Sequence, residues 1–217
     1  MTQPKWKRQL PNTLTLARLA MAVVLVVLLA LAPPLEESSG IQPLLIVATA
    51  LFIMAAITDA LDGYLARKWS VISIFGRITD PFADKILVLG TTVMLATPAF
   101  QISPENGPAM AAGFTGWMVV VILGRELLVT TIRSVFESKG VDFSATASGK
   151  AKMIVQSVAI PGCLLAAALW AGDPPGWAGW VVKAAAWGTT LITAASAVPY
   201  ISRAAKASAH QHTQESP

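Results

Sequence analysis

Charge is scarce in this chain. Asp, Glu, Lys and Arg make up 13% of its 217 residues, against roughly 25% in soluble domains. Beside a 54% share of hydrophobic residues, that deficit excludes an ordinary water-soluble globule and points to a bilayer as solvent. Cysteine is almost absent. Cys163 alone excludes an intramolecular disulfide, and within its apolar run it reads as a small buried hydrophobe. The two histidines, His210 and His212, sit together in a polar tail and make a poor metal cage. Internal repeats and low-complexity tracts are missing too. The net charge of +4 weakly favours anionic partners, but where the charges fall is more informative than their sum.

What the chain has in abundance is long apolar runs. A helix needs about 20 apolar residues to cross the hydrocarbon core, and backbone groups must be satisfied inside it. Six spans are predicted, at about 13–32, 42–65, 78–99, 109–135, 150–171 and 178–201. Turn chemistry separates them: Pro33-Pro34 and Gly40, Pro104 to Pro108, then Gly172 to Gly176. The start, with Lys5, Lys7 and Arg8 before an apolar run, imitates a secretory signal. Its run is nearer to a full span than to a signal core of roughly 7–15 residues, and Pro33 follows the supposed cleavage point. It therefore reads as a retained helix, with a short interfacial segment before Leu10. Residues 1–203 form one membrane domain and 204–217 a flexible polar tail.

Basic residues set the orientation. Connections one–two, three–four and five–six contain Glu36, Glu37, Glu105 and Asp173 and no Lys or Arg. The opposite side holds Lys5, Lys7, Arg8, Arg67, Lys68, Lys139, Arg203 and Lys206. Both termini are thus expected in the cytoplasm of an all-α six-helix bundle. Lys183 is the exception, near the outer end of span six, where it can snorkel. The seven tryptophans mostly fall near expected interfaces. Gly113 and Gly116 suit packing or helix entry.

Ionisable residues in a membrane cost roughly 2.5–3.5 kcal/mol each on insertion and mark function by default. Here they gather at the cytoplasmic ends of spans two and three. Asp59, Asp62, Gly63 and Ala66 follow i, i+3, i+4, i+7 spacing; Gly76, Asp80 and Asp84 follow i, i+4, i+8. Each set occupies one helix face. Four carboxylates brought together repel one another, and a divalent cation relieves that repulsion. Hard oxygen donors suit Mg²⁺ or Mn²⁺. Four of them can hold two ions roughly 3.5–4 Å apart, an arrangement that assists phosphoryl displacement. Solvated interfacial acids are the bland alternative, but matched faces with interleaved glycines argue against it.

The run Asp59-x₂-Asp62-Gly63-x₂-Ala66-Arg67-x₈-Gly76-x₃-Asp80-x₃-Asp84 resembles the full signature of the CDP-alcohol phosphatidyltransferases. Looser segments resemble the bacterial branch of that family whose acceptor is sn-glycerol 3-phosphate. These are Pro11-Asn12-Thr13-Leu14-Thr15-Leu16-Ala17-Arg18, Gly124-Arg125-Glu126-Leu127 with Arg133, and Gly149-Lys150-Ala151-Lys152 with Gln156. Met153 stands where that branch has threonine. The resemblance runs from about Pro11 to Tyr200. It implies transfer of a phosphatidyl group from CDP-diacylglycerol to sn-glycerol 3-phosphate, releasing CMP. It implies metal ligation by Asp59, Asp62, Asp80 and Asp84, with Asp84 also the general base. It also implies contacts to the CDP moiety from Gly63, Ala66, Arg67, Ser73 and Gly76, joined by Asn12 and Thr15. A homodimer in the bacterial inner membrane, with its site facing the cytoplasm and no nucleic-acid partner, is the matching expectation.

An anionic acceptor needs cations. Arg125 and Arg133 share a face of span four, and Lys150 and Lys152 open span five on the same side. All four are candidate phosphate ligands, with positive-inside anchoring the alternative for the lysines and Arg133. Glu126 is placed to orient Arg125 or to pair with an arginine of another helix. Arg18, Arg77 and Lys85 fit anchoring or phosphate binding equally. Two rivals stand beside this reading. One is the same chemistry with inositol phosphate, serine or phosphatidylglycerol as acceptor. The other is a cation transporter, which the one-sided placement of the acids disfavours.

Overall fold

The computed structural model describes all residues except 1–4, 39, 70–73, 104–108, 139–146, 171–174 and 215–217. Side chains at 5–9, 11, 65–67, 74–78, 147 and 208–214 are also outside the description. The fold is helical. Helix α1 spans Lys5–Ala30 and α2 spans Pro43–Trp69, joined through a 3₁₀ turn at Leu35–Glu37. Helix α3, Ile74–Lys85, passes through a π-helical stretch, Ile86–Gly90, into α4, Thr91–Leu95. Strands β1, Gln101–Ile102, and β2, Ala109–Met110, form a small antiparallel ladder. Helices α5, Gly116–Ser138, α6, Ala147–Leu169, α7, Gly176–Ala195, and α8, Val198–Gln214, complete the chain.

Four helical segments are long and apolar enough to cross a membrane: Asn12–Ala30, Pro43–Tyr64, Ser148–Leu169 and Gly176–Ala207. The third and fourth expected spans are helical as well, but they carry the charges of the site: Asp80, Asp84 and Lys85 on α3, and Arg125, Glu126 and Arg133 on α5. Burial is distributed as helix packing in lipid requires. Small residues line the seams, with Ala22, Ala48, Ala55, Ala167, Ala168 and Ala186 fully or almost fully buried. Large apolar side chains such as Val27, Ile57, Val120, Ile154 and Val158 point outward. Helix α1 packs on α2 and α3, α2 on α6, α6 on α7, and α5 on α7 and α8.

Several boundaries differ from expectation, each for a local reason. The interfacial segment before Leu10 is not a separate element, because α1 is continuous from Lys5. Span four begins at Gly116, seven residues after the expected position, because Gly113 adopts φ +71° and turns the chain first. A Cβ at Gly113 would come within 2.8 Å of the Val182 carbonyl oxygen, so this glycine is a packing contact. The helix at the sixth expected span, α7, ends at Ala195; a turn at Ser196 and Ala197 precedes α8, with Pro199 in its first turn. The tail is helical through Gln214, and its Ala204, Ala205 and Ala207 are strong helix formers.

Candidate active site

Two cavities adjoin near the C-terminal third of α2 and the C-terminal half of α3. The first, about 700 Å³, has Asp59, Asp62 and Gly63 of α2 and Asp80 of α3 at its polar end. Apart from Ser157, its remaining wall is apolar, chiefly from Ile53 and Ile57 on α2 and Ile154 and Val158 on α6. The three-residue spacing of Asp59 and Asp62 brings both carboxylates to one side of α2. There they meet α1. Arg18, completely buried, donates from Nη1 to Asp59 Oδ1 and from Nη2 to Asp62 Oδ2. Nη2 is also 4.0 Å from Asp80 Oδ1, and the Thr15 hydroxyl donates to that same oxygen at 2.6 Å.

One guanidinium against three carboxylates leaves two net negative charges at this wall. Oxygen donors with that residual charge fit a divalent cation. Among the described residues, no three His, Cys, Asp or Glu side chains converge closely enough to enclose an ion. Asp84, the fourth acid, lines the neighbouring cavity instead.

That second cavity, about 450 Å³, is cationic. Lys85, Arg125, Arg133, Lys150 and Lys152 line it together with Asp84, Glu126 and Glu137, an excess of two positive charges. Four of these five cations are held by neighbours. Glu126 Oε1 accepts from Lys152 Nζ at 2.6 Å and from Arg125 Nη1 at 3.1 Å, with all three residues buried. Arg125 Nε donates to Ser196 Oγ at 2.8 Å, and its guanidinium lies 5.8 Å from the centre of the Tyr200 ring. Lys85 reaches Thr130 Oγ1 at 2.8 Å, and the more exposed Arg133 pairs with Glu137 at 3.1 Å. A buried hydrogen bond from Gln156 Nε2 to Thr193 Oγ1 at 3.0 Å braces α6 against α7 beneath this network.

The sequence-derived residues thus divide between two compartments. Asp59, Asp62, Gly63 and Asp80 share the first; Asp84, Arg125, Arg133, Lys150 and Lys152 share the second. Asn12 and Thr15 do not line the first cavity, and Thr15 is turned to Asp80. Positions 66, 67 and 76 lie in described helices, but their side chains, like the whole of Ser73, are outside the described residues. Glu126 holds Arg125, and its partner on another helix is Lys152 rather than the expected arginine. Sequence reasoning missed Ser196 and Tyr200, and left Arg18 ambiguous. A signal for Arg18 existed: Thr15, Arg18, Ala22, Leu25 and Leu29 form one buried stripe along α1, and a polar pair on such a stripe must meet polar partners.

Long apolar helices, with an acidic and a cationic cavity side by side, fit a helical membrane protein. The family model for CDP-alcohol phosphatidyltransferase matches residues 8–194, and the chain belongs to that family. It is 37% identical over 161 residues to the CDP-diacylglycerol–glycerol-3-phosphate 3-phosphatidyltransferase of Bacillus subtilis, covering 72% of this chain and 76% of that one. It is 32% identical over 170 residues to the protein of the same name from Mycoplasma pneumoniae, covering 74% and 69%. To a probable phosphatidylglycerophosphate synthase of Mycobacterium tuberculosis it is 38% identical over 195 residues, covering 90% and 81%.

Proposed function

We propose that this protein transfers the phosphatidyl group of CDP-diacylglycerol to sn-glycerol 3-phosphate, forming phosphatidylglycerol phosphate and CMP. The observation that carries the reading is the pair of adjoining cavities with opposite residual charge, joined along α3 by Asp80 and Asp84. The larger cavity runs from acids to exposed aliphatic side chains, as a lipid nucleotide requires: charge at one end, acyl chains at the other. The smaller one has the excess positive charge that a phosphate dianion needs.

Asp59, Asp62 and Asp80, with Asp84, would hold one or two Mg²⁺ or Mn²⁺ ions, which when bound neutralise phosphate charge and stabilise the leaving CMP. The protein's own groups account for the remaining steps. Arg125, Lys152, Arg133 and Lys150 bind the acceptor's phosphate. Asp84, in that same cavity, takes the proton of the acceptor hydroxyl as general base. The hydroxyl oxygen then bonds to the phosphorus carrying diacylglycerol, and the bond from that phosphorus to the CMP oxygen breaks.

The membrane arrangement belongs to the same reading. The helical run from Ile74 to Leu95 and helix α5, at about 1.5 Å per residue, are each long enough to cross the hydrocarbon core. They make six spans with the four apolar ones, their charges turned into the site. Basic residues then put both termini and the site at the cytoplasmic side of a bacterial inner membrane, in an enzyme that acts as a homodimer.

The test is CMP release by purified protein given CDP-diacylglycerol and, separately, glycerol 3-phosphate, inositol phosphate, serine or phosphatidylglycerol. Glycerol 3-phosphate should be the acceptor used. Turnover with another acceptor and none with glycerol 3-phosphate would overturn the choice.

A further inference from the structure

Arg18 touches two presumed metal ligands yet takes no part in lining the cavity they face. It is completely buried, on the α1 side of the acids. Asp59 and Asp80 keep 36% and 44% of their side-chain surface exposed, and both line the cavity. Helix α1 therefore approaches the carboxylates from behind. It engages Asp59 and Asp62 through one named oxygen each, and Thr15 engages Asp80 likewise.

We infer that Arg18, assisted by Thr15, is a positioning device that restrains one oxygen each of the aspartates of α2 and α3 before any cation arrives, leaving only their final convergence to the ion. The inference rests on the proposed metal-binding role of those aspartates. Three carboxylates from two helices repel one another, and without a partner they would turn apart into water. A guanidinium is planar and permanently charged, and its two terminal nitrogens can each hold a different carboxylate in a fixed direction. Complete burial on the α1 stripe locks the guanidinium itself. Arg18 removes only one unit of negative charge, so the wall stays attractive to a divalent ion. Hydrogen bonds behind metal ligands act this way generally, fixing ligand orientation so that binding the ion costs less reorganisation.

The experiment is Mn²⁺ binding to the full-length protein in detergent, without substrates, read by the electron paramagnetic resonance signal of free Mn²⁺. Arg18→Gln should weaken binding about 10–100-fold, the usual effect of removing an outer partner. Arg18→Lys should fall between, since an ammonium cannot present the same fork. Thr15→Val, which keeps the side chain's shape, should weaken binding about two- to tenfold, the worth of one hydrogen bond. Wild-type affinity in Arg18→Gln would overturn the inference, and tighter binding would recast Arg18 as a competitor of the ion. If Arg18→Gln does not fold, Thr15→Val decides, and unchanged affinity there overturns the inference. Failure of the wild-type protein to bind Mn²⁺ would instead remove the metal-binding reading beneath it.

Discussion

Asp80 and Asp84 stand one turn apart on α3 and serve different cavities. Asp80 meets Thr15 and approaches Arg18; Asp84 lies among the cations of α5 and α6. A separation of four residues is about 6 Å along the helix axis, so the two compartments are in reach of a single displacement. This arrangement gives the two acids separable consequences.

Asp84→Asn should leave the fold intact and lower turnover by about 10²–10⁴-fold, the range that general-base catalysis supplies. CMP release measures the loss, and thermal unfolding in detergent checks the fold. Near-normal turnover would remove Asp84 from the role of base.

Glu126 and Lys152 form a buried ion pair, and removing Lys152 leaves Glu126 paired with Arg125. Lys152→Met alone should therefore destabilise the protein by about 1–3 kcal/mol, less than the full cost of stranding a buried charge. The double variant Lys152→Met with Glu126→Gln takes the carboxylate from Arg125 as well, so it should recover little of that stability and still show a raised acceptor KM. A double-mutant cycle in thermal stability and acceptor KM separates the two effects. Recovery of both together would reduce the pair to a packing role.

Lys150 and Arg133 are more accessible to water than Lys152. Alanine at either should change stability by less than about 1 kcal/mol, as for exposed ion pairs. Steady-state kinetics should show a larger rise in KM for glycerol 3-phosphate than for CDP-diacylglycerol. Equal rises for both substrates would identify them as membrane anchors.

Two glycines predict a contrast in stability. Gly113→Ala forces a side chain into a left-handed backbone and against the Val182 carbonyl, and should cost about 1–3 kcal/mol or more. Gly90→Ala, in the π-helical stretch, meets only the Val26 methyl at 2.6 Å. Val26 is β-branched and stiff within α1, but Gly90 already has helical φ and ψ, so without the backbone strain of Gly113 the loss should be smaller. Thermal unfolding of the two variants in detergent gives the order; the reverse order would contradict it.

Much of the site was legible because helical spacing is local. Asp59 and Asp62 share a wall, as three-residue spacing requires, and Arg125 and Arg133 share a cavity, as eight-residue spacing does. What spacing could not disclose is which distant group each face meets. Asp80 and Asp84 share a face of α3, yet one meets α1 and the other lies beside the cations of α5 and α6. That outcome depends on tertiary packing. The delayed start of α5 was hidden because hydropathy does not register a single positive φ at Gly113. The helical tail was hidden for the opposite reason: polarity masked an alanine-rich stretch with high helix propensity.

Met153 is the one side chain, among the described residues, that lines both cavities. The boundary between the acidic and cationic compartments thus includes an unbranched thioether with three rotatable bonds. A change of rotamer at this position can widen the passage between lipid and water-soluble reactant while every helix stays in place. Under the proposed function, the meeting of the two reactants at this boundary would then depend on side-chain motion, on a nanosecond rather than a millisecond clock.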